Sequence, residues 1–190
     1  MIFPSLYNAP TEYPFMKHYL SADAFQRDCI RLAKKVFDDP LWQPELLLAL
    51  WRGGAQPGVI MSEVFAFLGR PLAHAVIKCS SYAGIGTRTD TVVFQNAEAL
   101  LETIRPKAKI LVVDDVFDSG KTAEAVRKRL SHADVRFAMV YWKPEASQVS
   151  FAPDYFVQAR NEWIVFPHEL DGLTPEELRT KDPGIAEILL

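Results

Sequence analysis

A chain of 190 residues, 49% hydrophobic and 24% charged, suits one soluble globular domain with a substantial core. Its formal net charge of -3 excludes a global field that would gather nucleic acid or an anionic membrane surface, so any anion site must be built locally from backbone amides and a few basic side chains. The two cysteines, Cys29 and Cys79, form no CxxC pair and read as free thiols of a reducing compartment.

The opening MIFPSLYNAPTEYPF has neither a basic start nor an uninterrupted apolar stretch, so no secretory leader is expected. Residues 1–20 are rich in proline and aromatics and read as an irregular arm, with Tyr19-Leu20 adding a short strand. Ser21 is placed to cap a helix in which Phe25, Cys29, Leu32, Ala33, Val36 and Phe37 recur at helical spacing. Pro40 and Pro44 break the chain, and ELLLALW (45–51) follows as a strand apolar enough to be buried on both faces of a parallel sheet. Arg52-Gly53-Gly54 leads into a helix over 57–68 that ends at Gly69. AHAVIKC (73–79) reads as a second buried strand, and SSYAGIGTRTD (80–90) as a mobile polar loop. NAEALLETI is a short helix before KILVV, a strand, and residues 122–130 form another helix. VRFAMVYW and DYFVQA are the last predicted strands before NEWIVFPHEL and a proline-containing tail.

Strands alternating with helices predict an α/β fold with a largely parallel central sheet flanked by helices. A single domain over residues 1–190 is expected, with a core over about 21–159 and a small hood from about 1–20 and 160–190. No apolar run approaches the roughly 20 residues that span a bilayer, and the protein is expected to be cytoplasmic.

Residues 110–125, ILVVDDVFDSGKTAEA, carry the chemistry. A nucleotide-hydrolysing P-loop needs G-x-x-x-x-G-K-[ST], and its first glycine would fall at Asp115, where a carboxylate would occupy the phosphate position. No GxGxxG follows a strand either, so the dinucleotide-binding pattern is also excluded. What remains is a strand, an acid pair, a short turn and a helix start. Asp118, Ser119, Gly120, Lys121 and Thr122 would present amides and hydroxyls to one phosphate dianion at the helix N-terminus. Asp114 and Asp115, at the carboxyl end of the strand, can accept hydrogen bonds from the adjacent hydroxyls of a ribose.

VVDDVFDSGKTA resembles the signature of the type I phosphoribosyltransferases, which bind phosphoribosyl pyrophosphate (PRPP); the likeness, to the purine (hypoxanthine, xanthine, guanine) members, runs from about Tyr19 to Glu169. Arg52, Gly53 and Gly54 then imply the pyrophosphate site, and the resemblance implies a non-proline cis peptide at Trp51-Arg52. Ser81 and Tyr82 resemble the start of the flexible lid of the purine enzymes, with Arg88 in the same segment, a lid that excludes water from an activated sugar. Lys143 matches the lysine that donates to the 6-oxygen of a purine. Trp163 is placed to stack on the base, with the backbone of Ile164 and Val165 reading its edge. Glu169 matches a residue that helps bind metal and pyrophosphate, so that the metal set is Asp114, Asp115 and Glu169. His168 stands where the family usually has an aromatic residue. His18, His74 and His132 have no partner at metal spacing and read as structural or surface residues.

The activity implied is transfer of the 5-phosphoribosyl group from PRPP to N9 of a 6-oxopurine. Mg²⁺ is the cofactor, Asp118 acts near purine N7, and PRPP and a purine base are the partners. Neither nucleic acid nor membrane is an expected partner, and family members are usually dimers or tetramers. The alternatives are a phosphoribosyltransferase for another nucleobase, a PRPP-binding regulator without catalysis, and a metal-dependent phosphatase using Asp114 and Asp115. The last lacks further clustered ligands and leaves residues 119–122 unexplained.

Overall fold

The computed structural model describes residues 17–84, 87–95 and 97–190, with backbone alone for 80–84 and 87–91. The elements in order are β1 (Lys17–Tyr19), α1 (Ala22–Phe37), β2 (Leu46–Trp51), α2 (Ala55–Phe67), β3 (Ala73–Gly84), β4 (Thr87–Gln95), α3 (Glu98–Thr103), β5 (Lys109–Phe117), α4 (Lys121–Arg129), β6 (Asp134–Trp142), β7 (Tyr155–Ala159), β8 (Trp163–Val165), α5 (Pro175–Lys181) and α6 (Pro183–Leu189). Two compact units divide the chain: Gln26–Asn161, and the residues up to Phe25 together with Glu162–Leu190. Among the described residues no helix is long and apolar enough to cross a membrane.

The larger unit is built on a six-stranded sheet of order β4-β3-β2-β5-β6-β7. Every neighbouring pair is parallel except β3 with β4. This is the predicted α/β architecture. The apolar strands Leu46–Trp51 and Lys109–Phe117 occupy its centre, because only residues apolar on alternate and intervening positions tolerate helices on both faces. On one side Leu48, Leu50, Ile110, Val112, Phe137 and Met139 pack with Ala97, Leu101, Ala123, Val126 and Leu130 of the α3 and α4 segments. On β2, α2 comes so close that a Cβ added at Gly58 would lie 2.7 Å from the Cβ of Ala49. Phe37 of α1 and Phe65 of α2 meet edge to face at 5.3 Å.

The expected helix after Ser21 forms, with the Ser21 hydroxyl accepting the Ala24 amide at 3.2 Å. Phe25, Cys29, Leu32, Ala33 and Val36 are its buried stripe. Two expectations are corrected. Residues 80–84 and 87–90 are strand, not loop: β3 runs on to Gly84, and β4 starts at Thr87 as its antiparallel partner, with a register shift between Ser81 and Ala83. Polar and small residues hold strand geometry there because the partner strand satisfies their backbone groups, so no apolar pattern is needed. Nor is β3 buried on both faces. Ile77 is buried while Ala73, His74, Val76 and Lys78 are exposed, the alternation of a strand near the edge of the sheet.

A polar network locks the amino ends of β6 and β7. The Tyr155 hydroxyl donates to Asp39 Oδ2 at 2.6 Å and accepts from Arg136 at 2.7 Å, while Arg136 also reaches Asp39 at 2.8 Å. The Leu41 and Trp42 amides donate to the other Asp39 oxygen. The Tyr155 hydroxyl, then the Leu41 amide, hold the Asp39 carboxyl below its ordinary value of 3.8. A carboxyl depressed in the folded state adds stability that is present above its unfolded value and lost as pH falls through the folded one. Asp39→Asn is therefore expected to lower Tm at neutral pH, with the difference from wild type closing as pH falls below 3.8 in thermal melts followed by circular dichroism. A Tm difference that persists undiminished in stronger acid would show that the carboxylate is not its source.

Candidate active site

The functional residues of the larger unit collect where β2 and β5 part. Their ladder pairs Leu46 with Ile110 through Ala49 with Val113 and goes no further, while β2 continues against β3 and β5 against β6. The chain winds away in opposite directions from this point, the switch point at which open α/β sheets leave a crevice outside the carboxyl ends of their strands. Two helix N-termini flank it: α2 follows β2 through residues 52–54, and α4 follows β5 through 118–120. Neither has a side-chain cap, and α2 has no acidic residue in its first turn, so the positive ends of both helix dipoles are available to anions.

The first candidate anion site is a cavity of about 80 Å³ lined by Asp114, Val116, Asp118, Ser119, Gly120 and Thr122, with Leu50 and Met139 at its apolar side. That volume holds several waters or one phosphate-sized group. The turn that forms it depends on Gly120, which has φ +78° and caps α4. A Cβ there would also lie 2.4 Å from Val149 Cγ2 and 2.7 Å from Phe117, so neither the conformation nor the space admits a side chain. The turn is tied from outside: the Lys143 amide donates to the Phe117 carbonyl and the Gln148 amide to the Ser119 carbonyl, each at 2.9 Å. Ser119 Oγ accepts the Lys121 amide at 3.4 Å.

The second site is the 52–54 turn. The Trp51-Arg52 peptide bond is cis, as the resemblance implies, and Arg52 is exposed. Gly53 lies against the acid pair: an added Cβ would sit 2.6 Å from the Asp115 carboxyl atoms. The two acids thus divide the crevice, Asp114 lining the phosphate cavity and Asp115, 8% exposed, abutting the glycine turn. Asp114 Oδ1 accepts the Asp115 amide at 3.0 Å. Burial and the neighbouring Asp115 carboxylate push the Asp114 carboxyl well above its ordinary range. Two carboxyls set this close together suit a cation or hydroxyl donors.

Asp118, with its side chain half exposed, faces the end of β6, where Lys143 Nζ lies 3.5 Å from Asp118 Oδ2. Beneath the crevice Tyr141 donates to Asp28 at 2.6 Å. Cys29, raised to about 12 chiefly by burial and then by Asp28 and Asp115, is an inert packing thiol at neutral pH. Cys79 is likewise raised to about 12 by burial and Asp114.

The smaller unit carries the remaining predicted residues. β8 pairs in parallel with β1, Lys17 opposite Trp163 and Tyr19 opposite Val165, and the Leu20 amide donates to the Val165 carbonyl at 3.1 Å. Trp163 is 41% exposed, whereas Ile164 and Val165 are buried. Phe166 meets Phe25 edge to face at 5.4 Å and stacks on His168 at 5.5 Å, so His168 serves as an aromatic plate in this packing. Glu169 Oε2 accepts the Phe166 amide at 2.9 Å and closes the turn after β8. Ser81, Tyr82 and Arg88 have side chains outside the described residues.

The architecture agrees with that of known proteins. Residues 16–171 match the phosphoribosyl transferase domain model. The chain belongs to the phosphoribosyltransferase family. Among the family's curated members, a xanthine-guanine phosphoribosyltransferase of Idiomarina loihiensis is 31% identical over 157 residues, covering 80% of this chain and 86% of the relative. Among solved structures, a purine phosphoribosyltransferase from Pyrococcus horikoshii superposes with a TM-score of 0.64 at 28% identity, covering 83% of this chain and 97% of that one. The Helicobacter pylori xanthine-guanine-hypoxanthine phosphoribosyltransferase gives a TM-score of 0.62 at 26% identity, over 82% of this chain and 95% of that one. Sequence reasoning had no signal for the residues that shape the crevice without touching the motif. Val149 against Gly120, and Leu50 and Met139 in the phosphate cavity, come from other strands and a distant loop.

Proposed function

We propose that the protein is a Mg²⁺-dependent purine phosphoribosyltransferase that transfers the 5-phosphoribosyl group of PRPP to N9 of a 6-oxopurine, giving a purine nucleoside monophosphate and pyrophosphate. One observation carries the reading: two helix N-termini without side-chain caps, α2 and α4, flank an acid pair, Asp114 and the buried Asp115, at the switch point. That spacing of anion, diol acceptor and anion is the outline of PRPP. Family membership and the purine enzymes among its relatives support the donor and the class of base.

In this assignment Ser119, Gly120, Lys121 and Thr122 receive the 5-phosphate with the Asp118 amide, Asp114 and Asp115 hold the ribose hydroxyls, and Arg52, Gly53 and Gly54 receive the pyrophosphate. The Asp114 carboxyl, pushed up by burial and by the adjacent Asp115, forms with that neighbour a pair that suits a divalent cation. Mg²⁺ is commonly held by one or two carboxylates together with substrate oxygens. Asp114 and Asp115 would hold the ion, with Glu169 as the further ligand that the resemblance assigns, and when bound it neutralises charge on the departing pyrophosphate. Lys143 and Asp118 fit the edge of the base: O6 and N7 of a 6-oxopurine lie side by side, and a donor 3.5 Å from an acceptor matches them. Lys143 donates to O6. Asp118 accepts the N7 proton as the N9 lone pair bonds to the anomeric carbon and the bond to pyrophosphate breaks, so no covalent enzyme intermediate is needed. Trp163 stacks on the base beside the Ile164 and Val165 backbone, and Ser81, Tyr82 and Arg88 form the lid. The smaller unit is the hood of this enzyme, which works in the cytoplasm as a homo-oligomer.

Pyrophosphate release measured with PRPP, Mg²⁺ and hypoxanthine, guanine or xanthine in turn tests the reading. Release is expected with at least one of them and not with adenine, uracil or orotate. Release with adenine alone would move the assignment to another base class, and PRPP binding without release from any base would point to a regulator.

A further inference from the structure

We propose that Lys181 is a positioning residue for purine recognition: its ammonium pins the turn that follows β8 and so sets the segment carrying Trp163. The proposal rests on the base-binding role of that segment given above. Lys181 is the last residue of α5 and lies beyond the stretch matched by the family model, which ends at residue 171. Its Nζ donates to the carbonyls of Phe166 at 2.7 Å and Pro167 at 3.1 Å, and to the Glu169 carbonyl. An ammonium has three donors and no acceptor, and here all are spent on carbonyls of one four-residue turn. The same turn is closed internally by the Glu169 amide on the Phe166 carbonyl at 3.0 Å and by the Glu169 carboxylate on the Phe166 amide. Lys181 thus fills a cup of three carbonyl oxygens, of which Phe166 also accepts the Glu169 amide.

The helix that delivers Lys181 is itself anchored. Thr174 and Glu177 form a reciprocal capping box at the start of α5, and Glu177 also pairs with Lys17 of β1. β1 is the strand on which β8 is laid, with Lys17 opposite Trp163. One short helix therefore grips the β1–β8 pair at two places, through Glu177 at its strand and through Lys181 at its exit. This ammonium is partly buried and spends its donors on backbone carbonyls of the turn. A charge accepted in that position specifies the path of the backbone it binds.

Three variants test the role in the full-length protein: Lys181→Met, which keeps the chain length and removes the donors; Glu177→Gln, which weakens the other grip; and Arg179→Met on the same helix, whose nearest partner is Glu176 at 3.5 Å. Lys181→Met is expected to raise KM for the purine base about tenfold while KM for PRPP and kcat stay within about twofold. Glu177→Gln is expected to shift the same constant in the same direction by less, and Arg179→Met to shift none. Should Lys181→Met fail to melt cooperatively, Glu177→Gln carries the test. An unchanged base KM, or an equal loss in every constant, overturns the positioning role. Absence of base-dependent turnover in the wild type would instead sink the proposed function.

Discussion

Asp118→Ala is expected to lower kcat about 10²- to 10⁴-fold, the range that general acid–base groups contribute, while the protein remains folded. The side chain is half exposed, and its one ion pair, to Lys143, is 3.5 Å long. A pair this long with one partner half exposed adds about 1 kcal/mol, so Tm should move by only a few degrees. PRPP binding should persist, because the Asp118 carboxylate faces Lys143 and the base, whereas the phosphate is assigned to the turn's amides. The reading is sharpened by Asp118→Asn, which keeps the volume and loses the acceptor charge. Steady-state rates within a few-fold of wild type for either variant would remove Asp118 from the mechanism.

Gly54→Ala is expected to damage binding and folding together. An added Cβ would lie 2.2 Å from the Val113 carbonyl oxygen, 2.7 Å from the Leu50 amide nitrogen and 2.8 Å from the Leu50 carbonyl oxygen. All three are backbone atoms of the central strands, so no rotamer change relieves the clash. The Gly54 amide also donates to Leu50 at 2.8 Å, a bond that anchors the turn and would be lost if it moved. Overpacking of this kind costs about 3 kcal/mol, at the upper end of its usual range. Displacing the turn also withdraws the α2 amides from the pyrophosphate. Urea unfolding and PRPP titration by calorimetry read both effects. A variant with wild-type stability and PRPP affinity would mean that the crevice between β2 and β5 is far more compliant than its geometry implies.

Much of the candidate phosphate site was legible because its parts are contiguous. An apolar strand, acids at its end, a glycine turn and a helix start are local events, written within residues 110–125 by strand propensity, turn chemistry and helix capping. The same holds for Arg52, Gly53 and Gly54 after a strand. The segment 80–90 was misread for the complementary reason. Its backbone is satisfied by antiparallel pairing between Lys78–Gly84 and Thr87–Gln95, and pairing leaves little mark on residues too small or polar to show a hydrophobic period. The exposed face of β3 was hidden too, since a run of apolar residues does not say how many of its faces a helix will cover.

By itself the amino-acid order determined the α/β alternation, the exclusion of a P-loop by Asp115, and the clustering of acids, hydroxyls and a glycine turn at the end of one strand. Only the tertiary structure decided which groups meet. Gly53 lies on Asp115 because β2 and β5 separate beyond Ala49 and Val113. Lys143 reaches Asp118 because β6 runs beside β5. Lys181 returns to the turn after β8 because Glu177 ties its helix to β1. Local propensity acts over a few residues and can be read in order. Pairing across long sequence separations depends on how whole elements pack, and no single segment carries that information.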